Sequence, residues 1–206
     1  PVPYRTSVAQ ARLGADDAGH EAFFREMLGD LDAPTLPFGL SDVQGDGHAI
    51  EEAHLSLDAS LACGLREQAR QLGVSAASLA HLAWARVLGV LANRTDVVFG
   101  TVLMGRLQGG EGADRALGVF INTLPLRIDT RASVRDAVKA VHASLTALLG
   151  HEHASLALAQ RCSGVGGAAP LFSALLNYRH TADVPLRDGE GIWQGVRLLG
   201  GDVRSN

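Results

Sequence analysis

The 206-residue sequence predicts a layered α/β or α+β fold, a mixed sheet with helices packed on it. Three observations carry this. "DVVFGTVLMGR" (96–106) is a continuous apolar run bounded by turn residues, the pattern of a strand buried on both faces. "ALGVFINTLPLRID" (116–129) is a second apolar strand, with Asn122 and Thr123 at its centre and Pro125 just beyond. Around these runs stand segments with apolar residues at helical spacing, several preceded by an Asp or Ser able to cap a helix.

The elements follow in order. Phe23, Phe24, Met27 and Leu28 recur at helical spacing in "DDAGHEAFFREMLGD" (16–30), with Asp16 and Asp17 as candidate caps. "LDAPTLPFGLSDVQGDGHAI" is rich in Pro, Gly and Asp and has no period, so it reads as a linker, with the main internal boundary near residue 48. "EEAHLSLD" (51–58) alternates and reads as a strand. Asp58 can cap a helix that stops at Gly73, and Ser75 a second helix that is apolar over much of its circumference.

The strand at 96–106 comes next, then the Gly-rich "LQGGEGADRA", read as a flexible loop, then the quoted strand. Ser133 can cap a helix through about Leu149, with Val134, Val138, Val141, Leu145 and Leu148 on one stripe. "HEHASLALAQRC" reads as a loop and short helix, and "LFSALLNYRH" (171–180) and "IWQGVRLLG" (192–200) as strands.

Composition narrows the function classes. The sequence is 47% hydrophobic and 19% charged, an ordinary globular balance, with length enough for one large domain or two lobes. A net charge of −4 supplies no basic field for nucleic acid or an anionic membrane. No apolar run has membrane-spanning length. Cys63 and Cys162 lie far apart without ligand spacing and read as two buried free thiols in a reducing compartment. Pro1 and the terminal "GGDVRSN" both read as cuts, so the chain is expected to be a piece of something longer.

Local chemistry is sparse. "GHEHA" carries His151, Glu152 and His153 without metal-ligand spacing, so no metal is expected and the segment reads as a solvated or capping loop. His81 and His142 sit in helical segments and read as partly buried structural histidines. Ser75, Ser133 and Ser155 read as caps, and no G-x-S-x-G elbow occurs. "LQGGEGAD" lacks the spacing of a phosphate cradle.

Asn122 remains. Either it lies on an edge strand and bonds neighbouring backbone, or it presents its donor and acceptor to a ligand amide or thioester beside a strand opening. Physics leaves both open.

A family resemblance bears on that choice. "LGVFINTLPLR" (117–127) is similar to the "GxFVNTLPLR"-type motif of the condensation domains of nonribosomal peptide synthetases. In the same order, "PYRTSVAQARLG" (3–14) resembles the close of the family's N-terminal lobe, and "DVVFGTVLMGR" its strand ending in Gly-Arg. "HEHASLALAQ" resembles its "HQDYPFE" region and "PLFSALLNYRH" its "PLFxxxFNY" strand.

The resemblance implies a chloramphenicol acetyltransferase-like α/β fold of two lobes around a tunnel. Residues 1–48 would close the N-terminal lobe and link the lobes, and 49–206 would form a truncated C-terminal lobe. It implies amide bond formation between carrier-bound aminoacyl or peptidyl thioesters, with donor and acceptor peptidyl carrier domains and an adjacent adenylation domain as partners. The phosphopantetheine arms would come from the carriers, the setting would be a cytoplasmic secondary-metabolite assembly line, and neither nucleic acid nor membrane would be bound. Asn122 and Thr123 are expected on the tunnel wall as substrate-binding residues, and Arg106 at the interface between lobes.

The family's catalytic "HHxxxDG" is absent, as is "RDxSRNPL", and no His-His pair occurs in the chain. No catalytic residue is therefore assigned, and the fragment alone is expected to be inactive. The alternatives are a non-catalytic lobe that docks carriers, or another acyltransferase of the same fold.

Overall fold

The computed structural model describes residues 3–13, 16–41, 50–105, 117–166 and 169–179. They fall mainly in one compact unit, Pro1–Gln44 with Leu55–Tyr178; of a second unit, Gly45–His54 with Arg179–Asn206, only 50–54 and 179 are described. The helices are α1 (Tyr4–Leu13), α2 (Asp17–Leu28), α3 (Ala59–Leu72), α4 (Ala76–Leu91), α5 (Val134–Leu149) and α6 (Leu156–Arg161). The strands are β1 (Asp96–Leu103), β2 (Asn122–Asp129) and the short β3 (Leu175–Leu176).

The sheet runs β2-β1-β3, with β1 antiparallel to β2 and parallel to β3, so it is mixed as expected. β1 is central and almost wholly buried, which is why its sequence shows no alternation. Its register places Leu103 opposite Asn122, Gly100 opposite Pro125 and Asp96 opposite Asp129. Pro125 lies on β2, the edge of the sheet among the described residues, where its missing N–H removes no ladder bond toward a further strand.

Capping sets the helix starts where the sequence places them. Asp16 accepts from Gly19 N, Asp58 from Ser60 N and Leu61 N, Ser75 from Ser78 N, Ser133 from Asp136 N and Ser155 from Leu158 N. Gly73 ends α3 in the left-handed region at φ +68°, a conformation that favours glycine.

The core joins both faces of the sheet. Leu82, Ala85 and Leu88 of α4 and Ala137, Val138, Val141 and Leu148 of α5 meet Val97, Phe99, Leu124, Leu126 and Ile128. Phe24 and Leu28 of α2 belong to the same core, with Ala159 of α6. Gly100 is tightly approached: a Cβ there would lie 2.7 Å from Phe172 and 2.9 Å from the Thr123 methyl, so only glycine lets that ring cross the strand.

Several expectations change. Residues 51–57 lie outside helix and strand, and Leu55 and Leu57 are exposed. Period-two alternation stabilises a strand only where a neighbour covers its apolar face, and no strand among the described residues flanks this one. "LFSALLNYRH" forms only the two-residue β3, plus an isolated parallel bridge between Phe172 and Thr35. α1 is a further helix, beyond those expected, and its apolar residues Tyr4 and Val8 are exposed. Val134 of the expected α5 stripe is exposed. Both cysteines are free, but Cys63 is exposed and only Cys162 is buried. The expected strand 192–200 and loop 107–116 lie outside the described residues.

Among the described residues no single helix is long and apolar enough to cross a membrane. α3 and α4 pass that test only when joined, and they bend by 107°.

Candidate functional site

The site is built around the first residue of β2. The Asn122 Nδ2 donates to Glu152 O and to Ala154 O, both at 2.8 Å, and its Oδ1 accepts from Thr123 N at 2.9 Å. Both amide hydrogens and one oxygen lone pair are thus engaged by backbone. The two carbonyls belong to the corner between α5 and α6, residues 150–155, so the carboxamide fixes that corner to the edge strand.

The same corner is anchored from α2. His151 stacks on Phe23, with ring centroids 4.0 Å apart and planes 17° apart. Its Nδ1 lies 2.7 Å from Nδ1 of His20. Glu152 is 1% exposed, with its Oε1 3.9 Å from His153 Nε2. A segment that reads as solvated loop is therefore a junction of α2, β2 and α5.

Thr123 leaves β2 on the opposite face from Asn122, by strand alternation, and its methyl approaches Gly100 beside Phe172. The structure places the two expected substrate-binding residues adjacent in the chain but on different faces. Arg106 lies outside the described residues.

Before β2 the chain forms an apolar ribbon. Leu117, Val119 and Ile121 are 85%, 76% and 57% exposed, and Met104 is exposed nearby in sequence to Gly105. Gly105, at φ +63°, turns the chain out of β1, and a Cβ there would meet Phe120 O at 1.9 Å. Tyr4 of α1 hydrogen-bonds Val119 O and sets its ring edge against Phe120, which ties α1 to the ribbon.

Arg127 is the residue that sequence reasoning missed. It lies between Asp96 of β1, at 2.7–3.1 Å, and Asp30 just past α2, and Nη1 also donates to Met27 O at 2.9 Å. Hydrogen bonds to Asp96 and Asp30 raise its pKa further above the ordinary guanidinium range. Its signal was present: an arginine on the same strand face as Pro125, two residues along, needs a partner when half-buried.

Little in this arrangement reacts by itself. Ser78 Oγ lies 3.2 Å from His142 Nδ1, but Ser78 has no exposed surface and also bonds Ser75. His81 is buried, with Nδ1 donating to Ala77 O and Nε2 accepting from Thr101 Oγ1, each at 2.7 Å, a structural histidine as expected. Among the described residues no three His, Cys, Asp or Glu side chains are placed to hold a metal ion. An open groove of about 770 Å³ lies away from Asn122, lined by Arg86, Asn93, Arg94, Asp96 and Thr130.

Fold and site together define a helix-flanked, mixed-sheet α/β unit whose edge strand begins at a backbone-bonded asparagine. The chain belongs to the condensation domain family, whose model matches residues 3–185. It is 54% identical over 207 residues to malpibaldin synthetase of Mortierella alpina, covering 100% of this chain and 4% of that protein. It is 55% identical over 188 residues to malpinin synthetase of the same organism, covering 91% of this chain and 2% of that protein. To the ferrichrome siderophore peptide synthetase of Mycosarcoma maydis it is 30% identical over 180 residues, 86% of this chain and 4% of that protein. The chain thus spans a few per cent of the length of these relatives.

In structure it is similar to a four-domain nonribosomal peptide synthetase bound to AMP and glycine. The TM-score is 0.67 at 19% identity, over 82% of this chain and 13% of that one. It is also similar to the first condensation domain of the CDA synthetase, with TM-score 0.63 at 23% identity over 84% of this chain and 38% of that one. The expected chloramphenicol acetyltransferase-like α/β fold is borne out by these likenesses.

Proposed function

We propose that the chain is the C-terminal-lobe portion of a condensation domain, with residues 1–48 closing the N-terminal lobe and linking to it. The parent forms amide bonds between carrier-bound thioesters. Partners of this parent would be donor and acceptor carrier domains bearing phosphopantetheine, and an adenylation domain, in a cytoplasmic synthetase. The observation that carries the reading is the apolar ribbon Leu117, Val119 and Ile121, left open directly before Asn122. An open apolar face of this kind marks an interaction surface, and a tunnel wall shared with a second lobe would use it.

In this reading Asn122 acts by holding the 150–155 corner beside the tunnel, and its remaining oxygen lone pair is free to meet a substrate amide. Thr123 would contribute from the opposite face, and Arg106 would pair across the lobe interface. The chain alone would be inactive, since no His-His pair is present to serve as the family's tunnel-centre base.

The test compares two polypeptides given donor- and acceptor-loaded carriers: this 206-residue chain, and one extended upstream to a whole domain. Dipeptidyl product is expected from the extended polypeptide alone. Product from the short chain overturns the inactivity reading. Saturable carrier binding without product by the extended form favours a docking lobe instead.

A further inference from the structure

α2 is fastened to the rest of its unit at both ends, by different chemistry. At its C-terminal end Arg127 donates to Met27 O and pairs with Asp30 and Asp96. That end is insensitive to pH across the physiological range, because a guanidinium does not deprotonate there. Asp30 is moreover held below the usual carboxylate range by Arg127.

At the N-terminal end stands the His20–His151 contact, Nδ1 to Nδ1 at 2.7 Å with ring centroids 5.0 Å apart. Those two distances together mean that the rings meet nose to nose, lone-pair axes aligned. A metal ion needs ligand axes converging on a point about 2.0–2.1 Å from each nitrogen. Two nitrogens in line at 2.7 Å leave room only for a proton.

Proton counting follows. With both rings neutral, one Nδ1 carries hydrogen and donates while the other accepts, so the two histidines hold complementary tautomers. One added proton is tolerated, since an imidazolium donates to an imidazole as well as a neutral ring does. A second added proton places N–H against N–H and cation against cation, and the bond is lost. His20 is buried and His151 is stacked on Phe23, so packing holds both rings in this arrangement.

We infer that the His20–His151 pair is a pH-operated fastening that releases the N-terminal half of α2 on acidification, while Arg127 keeps the C-terminal end in place. The groups around it are few. Asp16, the cap of α2, acts on His151 from the helix start; Glu21, next to His20, is paired with Arg25. From the corner come Glu152 and His153, and from the turn after α6 the thiol of Cys162, which donates to Glu21 O. Burial first, then His20, holds His151 below its ordinary value, with Asp16 pulling the other way. The first added proton leaves the bond in place, so the fastening is lost only as acidification adds the second, and the depressed folded-state value of His151 places that loss below about pH 6.5.

The experiment is amide hydrogen exchange read by mass spectrometry in the intact polypeptide at pH 7.5 and 5.0, expressed as protection factors. Peptides from 17–23 should lose protection by about tenfold or more at the lower pH, while those from 25–31 change several-fold less. In His20→Asn that contrast should disappear. Equal changes in both halves, or a contrast that persists in the variant, overturns the inference. If the variant does not fold, deuteration of the histidine Cε1–H in the unaltered protein decides. His151 should titrate below the range of an unstructured histidine peptide, and a titration matching that peptide overturns the proposal.

Discussion

Asn122 shows how far along the chain the partners of one polar side chain can lie. A carboxamide in an apolar run is costly unless bonded, so its presence announces either a ligand or a captive acceptor. The structure shows captive acceptors, but they lie thirty and thirty-two residues further on, and no local pattern points to them. Asn122→Ala leaves two corner carbonyls without their donor and should lower the unfolding free energy by about 1–3 kcal/mol, read from urea midpoints at constant m. A change under a few tenths would show that the corner holds itself.

His81 makes a pH prediction of its own. Burial pushes its imidazole below the ordinary value, so the unfolded chain takes the proton more readily. Stability from this group is complete above about pH 6.5 and declines as pH falls through that value. A melting temperature tracked from pH 7.5 to 5 should fall, and more shallowly in His81→Gln.

At the scale of elements, the helices and their starts were the most legible part. Each Asp or Ser cap sits where a periodic apolar stripe begins, because unsatisfied N–H groups need an acceptor at that position. Ser75→Ala should cost about 1 kcal/mol and shift the thermal midpoint down, with the effect lost if Asp replaces Ala. The strands were harder. β1 was plain from its apolar run, but 51–57 alternates without pairing and β3 pairs over two residues only, since strand formation depends on a neighbour that sequence does not name.

Arg127 signals that it needs a partner, but its partners, on β1 and at the end of α2, were illegible for the same reason. Arg127→Lys keeps the charge but loses the planar, multidentate grip on Asp96 and Met27 O, and should destabilise by about 1–3 kcal/mol in chemical denaturation.

For the whole molecule, the family resemblance is the source of the proposed two-lobe setting, which periodicity does not supply. Leu117, Val119 and Ile121 expose a run of apolar side chains that water solvates poorly. The isolated 206-residue chain should therefore self-associate, seen as concentration-dependent light scattering. Leu117→Lys with Val119→Glu should reduce the scattering without moving the melting temperature. A monodisperse unsubstituted chain would show that the ribbon needs no cover.

The Arg127 contact also bears on recombination. Phe24, Leu28 and Asp30 lie before residues 42–49, yet they share a core and an ion pair with β2, far beyond them. A chimera joined within 42–49 would graft one parent's guanidinium onto another parent's carboxylate and helix. Splices placed ahead of α2 would carry both halves of the pair together, and those are the junctions at which exchanged modules should stay folded.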